Sequence, residues 1–220
     1  MSSDAPHSAQ FLHDTRDLYW NDDHLALVAS RLGLDRVRRA VDVGSGLGHW
    51  TRRVARVLAP NADVTGVERE PRWIRDAARA PRVDYVQATA EELPFDDASV
   101  DLVTCQTVLI HVKDPALVLR EMRRILKPGG TLLCAEPNNA GQHALAFVDV
   151  GAVDDIVAAT TLELVCQRGK RALGLGFNSI GETLVGLLRP PDWLGVRAWT
   201  SDRAFVARAP LPDDARAMLA

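Results

Sequence analysis

Val41-Asp42-Val43-Gly44-Ser45-Gly46-Leu47-Gly48 is the stretch on which the reading turns. A short apolar run, 41–43, flows into a turn with glycine at every second position. A helical pattern follows, with Trp50, Val54, Val57 and Leu58 on one face and Arg52, Arg53 and Arg56 elsewhere. This is a strand entering a glycine turn that opens a helix. Glycine lets the backbone adopt positive φ and approach a ligand closely. The helix start directs free N–H groups and a positive dipole end at a carboxylate or phosphate. In open α/β sheets ligands bind beyond the carboxyl ends of the strands, which is where this turn sits. Its spacing is G-x-G-x-G followed by His49, whereas a dinucleotide-binding turn has its third glycine at that next position. That spacing counts against a NAD-dependent oxidoreductase, which stays as the lesser alternative.

Further along, β-type runs at 63–67, 83–87, 100–105 and 131–135 alternate with helical patterns. Asp22 and Asp23 open an amphipathic helix carrying Leu25, Val28 and Leu32 and stopped by Gly33. Pro71 begins a helix with Ile74, Ala77 and Ala78. Asp114 caps a helix with Pro115 first and Leu117, Val118, Met122, Ile125 and Leu126 as its stripe, ended by Lys127-Pro128-Gly129-Gly130. The alternation predicts a parallel sheet with helices on both faces. Glu68 directly follows the second strand, roughly 20 residues after the turn, where a carboxylate can accept both hydroxyls of an adenosine ribose. Solvent is expected near it, so its removal should spare the fold.

The remainder is less regular. Helices are expected over 154–167 and from Ser179, where Ser179-Ile180-Gly181-Glu182 is a capping-box pattern. Runs at 196–200 and 204–207 flank Ser201-Asp202-Arg203 as a hairpin. With 220 residues and a formal net charge of -3, the chain can bury a core and has no overall basic field for nucleic acid. Cys105, Cys134 and Cys166 are far apart, which suits unpaired thiols in a reducing cytoplasm. No run of about 18 apolar residues predicts a membrane span, the start has no signal-peptide core, and no metal-ligand pattern occurs. Arg120, Arg123 and Arg124 read as a solvated helix face, and Tyr19-Trp20 as part of a lid.

Taken together, several motifs resemble the class I S-adenosyl-L-methionine (SAM)-dependent methyltransferases, and most the UbiE-like, small-molecule branch. They are the turn at 41–48, Glu68, Ala88-Thr89-Ala90-Glu91-Glu92-Leu93-Pro94-Phe95, Asp101-Leu102-Val103 and Leu126-Lys127-Pro128-Gly129-Gly130-Thr131-Leu132, in the family's order. The resemblance implies a Rossmann-like, seven-stranded, mostly parallel sheet with a C-terminal antiparallel hairpin strand. It implies SAM as cofactor and a small-molecule acceptor methylated on O, N or C, with a catalytically silent SAM-binding partner module as the alternative. The cofactor residues it implies are Asp42, Gly44, Ser45, Gly46 and Gly48 for the methionine part, Glu68 with Arg69 for the ribose, Thr89, Ala90 and Glu91 near the adenine, and Gln106 beside the reacting methyl. Thr89 stands where the family usually has an acid. His111, on the rim loop, is the first candidate for a general base, because its ordinary pKa lies near neutrality. Glu136 is the second, with a cap or salt-bridge acid as its other reading. The chain then divides into an N-terminal helical lid (1–36), a cofactor core (37–137), an acceptor-side insertion (138–178) and a C-terminal helix and hairpin (179–220). The oligomeric state is left open.

Overall fold

Five strands pair in parallel in the order β3-β2-β1-β4-β5 among the residues that the computed structural model describes, 21–139 and 153–200. They are β1 (Arg39–Val43), β2 (Asp63–Glu68), β3 (Val83–Gln87), β4 (Val100–Gln106) and β5 (Leu126–Ala135). The chain winds outward from β1 to β3, then returns to lay β4 on the other side of β1, with Ala40 beside Leu102 and Val43 beside Cys105. Between β1 and β4 the winding direction reverses, and in open α/β sheets that reversal places a crevice at the carboxyl ends of the strands.

Alternation along each strand sends side chains to two cores. On one face Ala40, Val64 and Leu102 pack with Leu25 and Ala29 of α1 (Asp22–Leu32) and Trp50 and Val54 of α2 (His49–Val57). On the other, Val41, Val43, Val103 and Cys105 meet Val118, Leu119, Met122 and Ile125 of α4 (Pro115–Ile125), the helix that follows α3 (Pro71–Asp76) in the chain. Ile180 and Leu184 of α6 (Ile180–Leu187) complete that core. Such two-sided burial suits parallel strands, whose crossovers cover both faces. Within the segment expected as a lid, α1 is a core element, started by Asn21, whose side chain accepts from the Asp23 and His24 amides, and stopped by left-handed Gly33. The Tyr19-Trp20 pair lies outside the described residues.

Several expectations are corrected. Lys127-Pro128-Gly129-Gly130 does not precede β5 but lies within it, as a bulge: Val100 pairs with Leu126, and Leu102 already with Thr131. Leu117 is exposed, and Asp114 caps α4 by accepting from the Leu117 amide at 3.0 Å. Arg53, off the apolar face of α2 by its spacing, is nevertheless buried and pairs with Asp22. Arg124 is likewise a hub, donating to the carbonyls of Leu93 and Phe95 and pairing with Glu121 and Asp97. At Ser179 the hydroxyl makes no cap bond and instead accepts from buried Gln167 of α5 (Val153–Ala172) at 2.7 Å. The stretch 196–200 carries no strand; it follows Gly195 at φ 65 and is solvent-exposed, and 204–207 lies outside the described residues. Among the described residues the sheet therefore has five strands, and the expected sixth and seventh, with the hairpin, are not among them.

A buried polar relay sets α2 against the sheet. Trp50 Nε1 donates to Thr104 Oγ1 at 2.9 Å, and that hydroxyl donates to the Leu133 carbonyl at 2.7 Å, so one side chain joins α2, β4 and β5. Thr104→Val keeps the shape and removes both of these bonds, each worth about 0.5–1.5 kcal/mol. Urea unfolding is expected to show a loss in that range or larger, and an unchanged midpoint would mean that the relay carries no stability.

Candidate functional site

At the end of β1, Gly44, Gly46 and Gly48 all adopt the left-handed conformation, with φ 72, 53 and 79. Each is required for a different reason. A Cβ on Gly44 would lie 2.5 Å from Val108 Cγ2, across the crevice between β1 and β4. One on Gly48 would collide with the Tyr85 hydroxyl, since Tyr85 of β3 reaches under the turn. One on Gly46 would meet no atom of the described residues within 4 Å, so among them the middle of the turn faces open space. Arg52 ties the turn to α2 by donating to the Leu47 carbonyl at 3.0 Å.

Two carboxylates stand behind this turn. Glu68 is the last residue of β2 and only 4% exposed, so the expected solvated position is corrected. Its Oε2 accepts from the Gly46 amide at 2.9 Å and its Oε1 from the Glu70 amide at 3.0 Å, which joins the ends of β1 and β2. Asp42 is buried and accepts from the Thr51 hydroxyl at 2.6 Å. Burial raises its pKa to about 7, against the Thr51 bond and with help from the charge of Glu68. Asp42 Oδ1 and Ser45 Oγ are buried and have no hydrogen-bond partner among the described residues. Orphaned polar atoms beside an open, left-handed glycine turn fit a ligand that brings its own donors.

After β4 the chain turns sharply. Thr107 takes φ 56, unusual for a β-branched residue, and Gln106, half-buried, donates to its hydroxyl. A 3-10 turn, Leu109–His111, follows and ends in half-buried His111. The carboxylate of Glu136, just past β5, accepts from the amides of Val108 (2.9 Å), Leu109 (3.0 Å) and Ile110 (3.4 Å), and from Cys105 Sγ. Desolvation lifts its pKa to about 7 despite those bonds. The oxygens of Glu136 are thus engaged as a cap, the structural reading of that acid. From the other side Lys170 of α5 donates to the Ile110 carbonyl at 3.1 Å, as does the Phe177 amide.

The remaining candidates lie on the rim. Thr89 and Glu91 are exposed and Ala90 half-buried, in a loop after β3 where Thr89 accepts from the Glu92 amide. Arg69 is exposed, and only its carbonyl is used, by Gln87. The structure thus gathers Asp42, the glycine turn and Glu68 tightly, sets Gln106, His111 and Glu136 across the crevice, and leaves Arg69, Thr89, Ala90 and Glu91 at its edge. Thr51, Arg52, Tyr85 and Lys170 were missed. A polar Thr51 beside Trp50 at the start of an amphipathic helix was the available signal; Tyr85 and Lys170 act through tertiary contacts with no local pattern.

Residues 41–134 match the profile of a family described as a methyltransferase domain. Demethylmenaquinone methyltransferase from Staphylococcus aureus strain JH9 is 35% identical over 113 residues, covering 50% of this chain and 47% of the relative. The chain thus spans about half the length of the curated relatives it matches. A SAM-dependent methyltransferase from Aquifex aeolicus aligns at 18% identity over 56% of this chain and 68% of its own, with a TM-score of 0.49. A structure described as a putative methyltransferase from Bacillus halodurans aligns at 26% identity over 56% and 59%, with a TM-score of 0.46.

Two predictions follow from the turn and its acids. Gly46→Ala carries only the left-handed backbone cost of about 1–2 kcal/mol. Gly48→Ala adds overpacking against Tyr85, about 1–3 kcal/mol more. Tyr85→Phe removes the nearest atom and is expected to restore part of the Gly48→Ala loss in denaturant unfolding; no restoration would mean that the tyrosine is not the obstacle. As for pH, the fold holds a proton on Asp42 that the unfolded chain has released between about pH 4 and 7, so stability falls as pH rises through that window. Glu136 adds the same slope. Asp42→Asn is expected to make the fall in unfolding free energy shallower, and an unaltered slope would refute the assignment.

Proposed function

We propose that this chain, whose residues 41–134 match a methyltransferase-domain profile, is a class I SAM-dependent methyltransferase that transfers the methyl group of that cofactor to an O, N or C atom of a small-molecule acceptor. The observation that carries the reading is the bond from the Gly46 amide to Glu68, which brings a ligand-open glycine turn and a buried carboxylate together at the switch point of a parallel sheet. SAM supplies a methyl already activated on a sulfonium, so the protein mainly positions and stabilises. Gly44, Ser45, Gly46 and Gly48 with Asp42 would hold the amino-acid end, and Glu68, with spare lone pairs, the ribose. Thr89, Ala90, Glu91 and Arg69 would border the adenosine from the rim, and Gln106 the methyl.

His111 is the residue proposed to take a proton where the acceptor must lose one before attack. Glu136 acts in this reading by holding the 3-10 turn that carries His111, since three backbone amides occupy its oxygens. A relative named for demethylmenaquinone supports a small-molecule acceptor over a macromolecular one. Among the described residues no helix is long and apolar enough to cross a membrane. The free thiols of Cys105, Cys134 and Cys166 support a cytoplasmic setting.

Calorimetry tests the reading. S-adenosylhomocysteine is expected to bind and NAD not, and NAD binding the tighter of the two would overturn the assignment. Gly46→Val should stay folded, because no atom of the described residues opposes the new side chain and only the left-handed backbone is strained, yet lose at least about tenfold in affinity, 1.4 kcal/mol. Methyl release from labelled SAM across a panel of acceptors separates an enzyme from a silent binding module. With an acceptor that must be deprotonated, His111→Asn is expected to lower kcat and leave S-adenosylhomocysteine affinity unchanged.

A further inference from the structure

An open groove of about 740 Å³ lies between the start of α4 and the segment joining α5 to α6. Its apolar lining includes Val112, Phe177, Ile180 and Leu187, and Lys113 and Arg171 stand on it as exposed cations. Neither cation forms an ion pair among the described residues; Arg171 instead stacks over the Phe177 ring at 5.1 Å. The groove's acid, Asp114, is already committed to the Leu117 amide as the cap of α4. The volume falls within the range of small-molecule sites. An apolar floor with two uncommitted cations and a committed acid favours a ligand with an apolar body and a negative head.

The groove is also close to the glycine turn. Val108 sits against Gly44, and Val112, on the groove wall, comes four residues later through the 3-10 turn, a span of roughly 8 Å. The turn between them is pinned from the groove side by Lys170 and the Phe177 amide on the Ile110 carbonyl, and from the sheet side by Glu136. One short, braced turn ending in His111 is therefore all that separates the cofactor crevice from the groove.

We propose that this groove binds the methyl acceptor, and that the acceptor is an apolar small molecule bearing a carboxylate, held by Lys113 and Arg171. This rests on the methyl-transfer reading above. The carboxylate lies at the outer edge on the two cations, the apolar body lies along Phe177 and Ile180, and the far end points past Val112 toward His111.

The test uses the whole chain saturated with S-adenosylhomocysteine, titrated with decanoate, decanol and decyltrimethylammonium below their aggregation limits. Decanoate is expected to bind at least about fivefold tighter than decanol, with the cation weakest. Lys113→Gln with Arg171→Gln should bring decanoate and decanol within about twofold of each other, since the charged partners are gone. S-adenosylhomocysteine affinity should not change, because neither residue touches the crevice. Thr183→Trp, on the groove wall, should abolish binding of all three probes. Equal binding of decanoate and decanol to the wild type, or a preference that survives the double substitution, overturns the proposal. If decanoate binds as expected but S-adenosylhomocysteine does not, the methyl-transfer reading fails and the anion-selective groove stands. The reverse pattern removes the groove and leaves that reading intact.

Discussion

The hydrogen bond from the Gly46 amide to Glu68 is the interaction on which the rest depends. A carboxylate taken out of water needs donors, and here they are backbone N–H groups at the ends of two neighbouring strands. The bond therefore fixes the turn after β1 and the direction of the chain after β2 in a single contact. Asp42 shares the same small volume, and its pKa is raised chiefly by burial, with the charge of Glu68 adding to it. Such a pair is poised for positive charge. A ligand that brings a cationic group to this volume would relieve the repulsion, while one that brings only phosphate would add to it.

Much of the fold was legible because local chemistry and tertiary structure agreed. The strand at 83–87 and the Asp114-Pro115 helix start appear where the pattern put them, and Gly33 ends α1 as a left-handed stop. The glycine turn and Glu68 were legible together, as a spaced pair. What was not legible came from groups that act across the structure. Periodicity placed Arg53 off the apolar face, and only the return of Asp22 over α2 makes it a buried partner. Arg124 looks like a surface charge until the loop at 93–97 supplies two carbonyls to its guanidinium. The Pro128-Gly129-Gly130 sequence carries a stop signal, and the sheet absorbs it as a bulge because Leu126 still finds Val100.

The site divides in the same way. The half on β1 and β2 is built on strand ends, where sequence order and position coincide, so the sequence already brings those residues together. Its other half hangs on the 3-10 turn Leu109–His111, which has too few internal bonds to hold itself. Glu136, Lys170 and the Phe177 amide hold it from two sides, drawing on elements far apart in sequence. The orientation of His111 is thereby linked to the seating of α5 on the sheet, and a disturbance of that helix reaches the crevice through the Ile110 carbonyl.

The strand order has a consequence for how the molecule comes into being. The central ladder pairs β1 with β4, so Val41 waits for Val103 while β2 and β3 are already available on its other side. During synthesis a three-stranded intermediate would expose one whole edge of β1, apolar and flat, until the loop to β4 has closed. Parallel pairings of this range form slowly, because chain entropy is lost before the contacts reward it. The interval before β4 arrives is thus when nascent chains are most exposed to mispairing with one another, and its length is set by the residues that build the far half of the sheet.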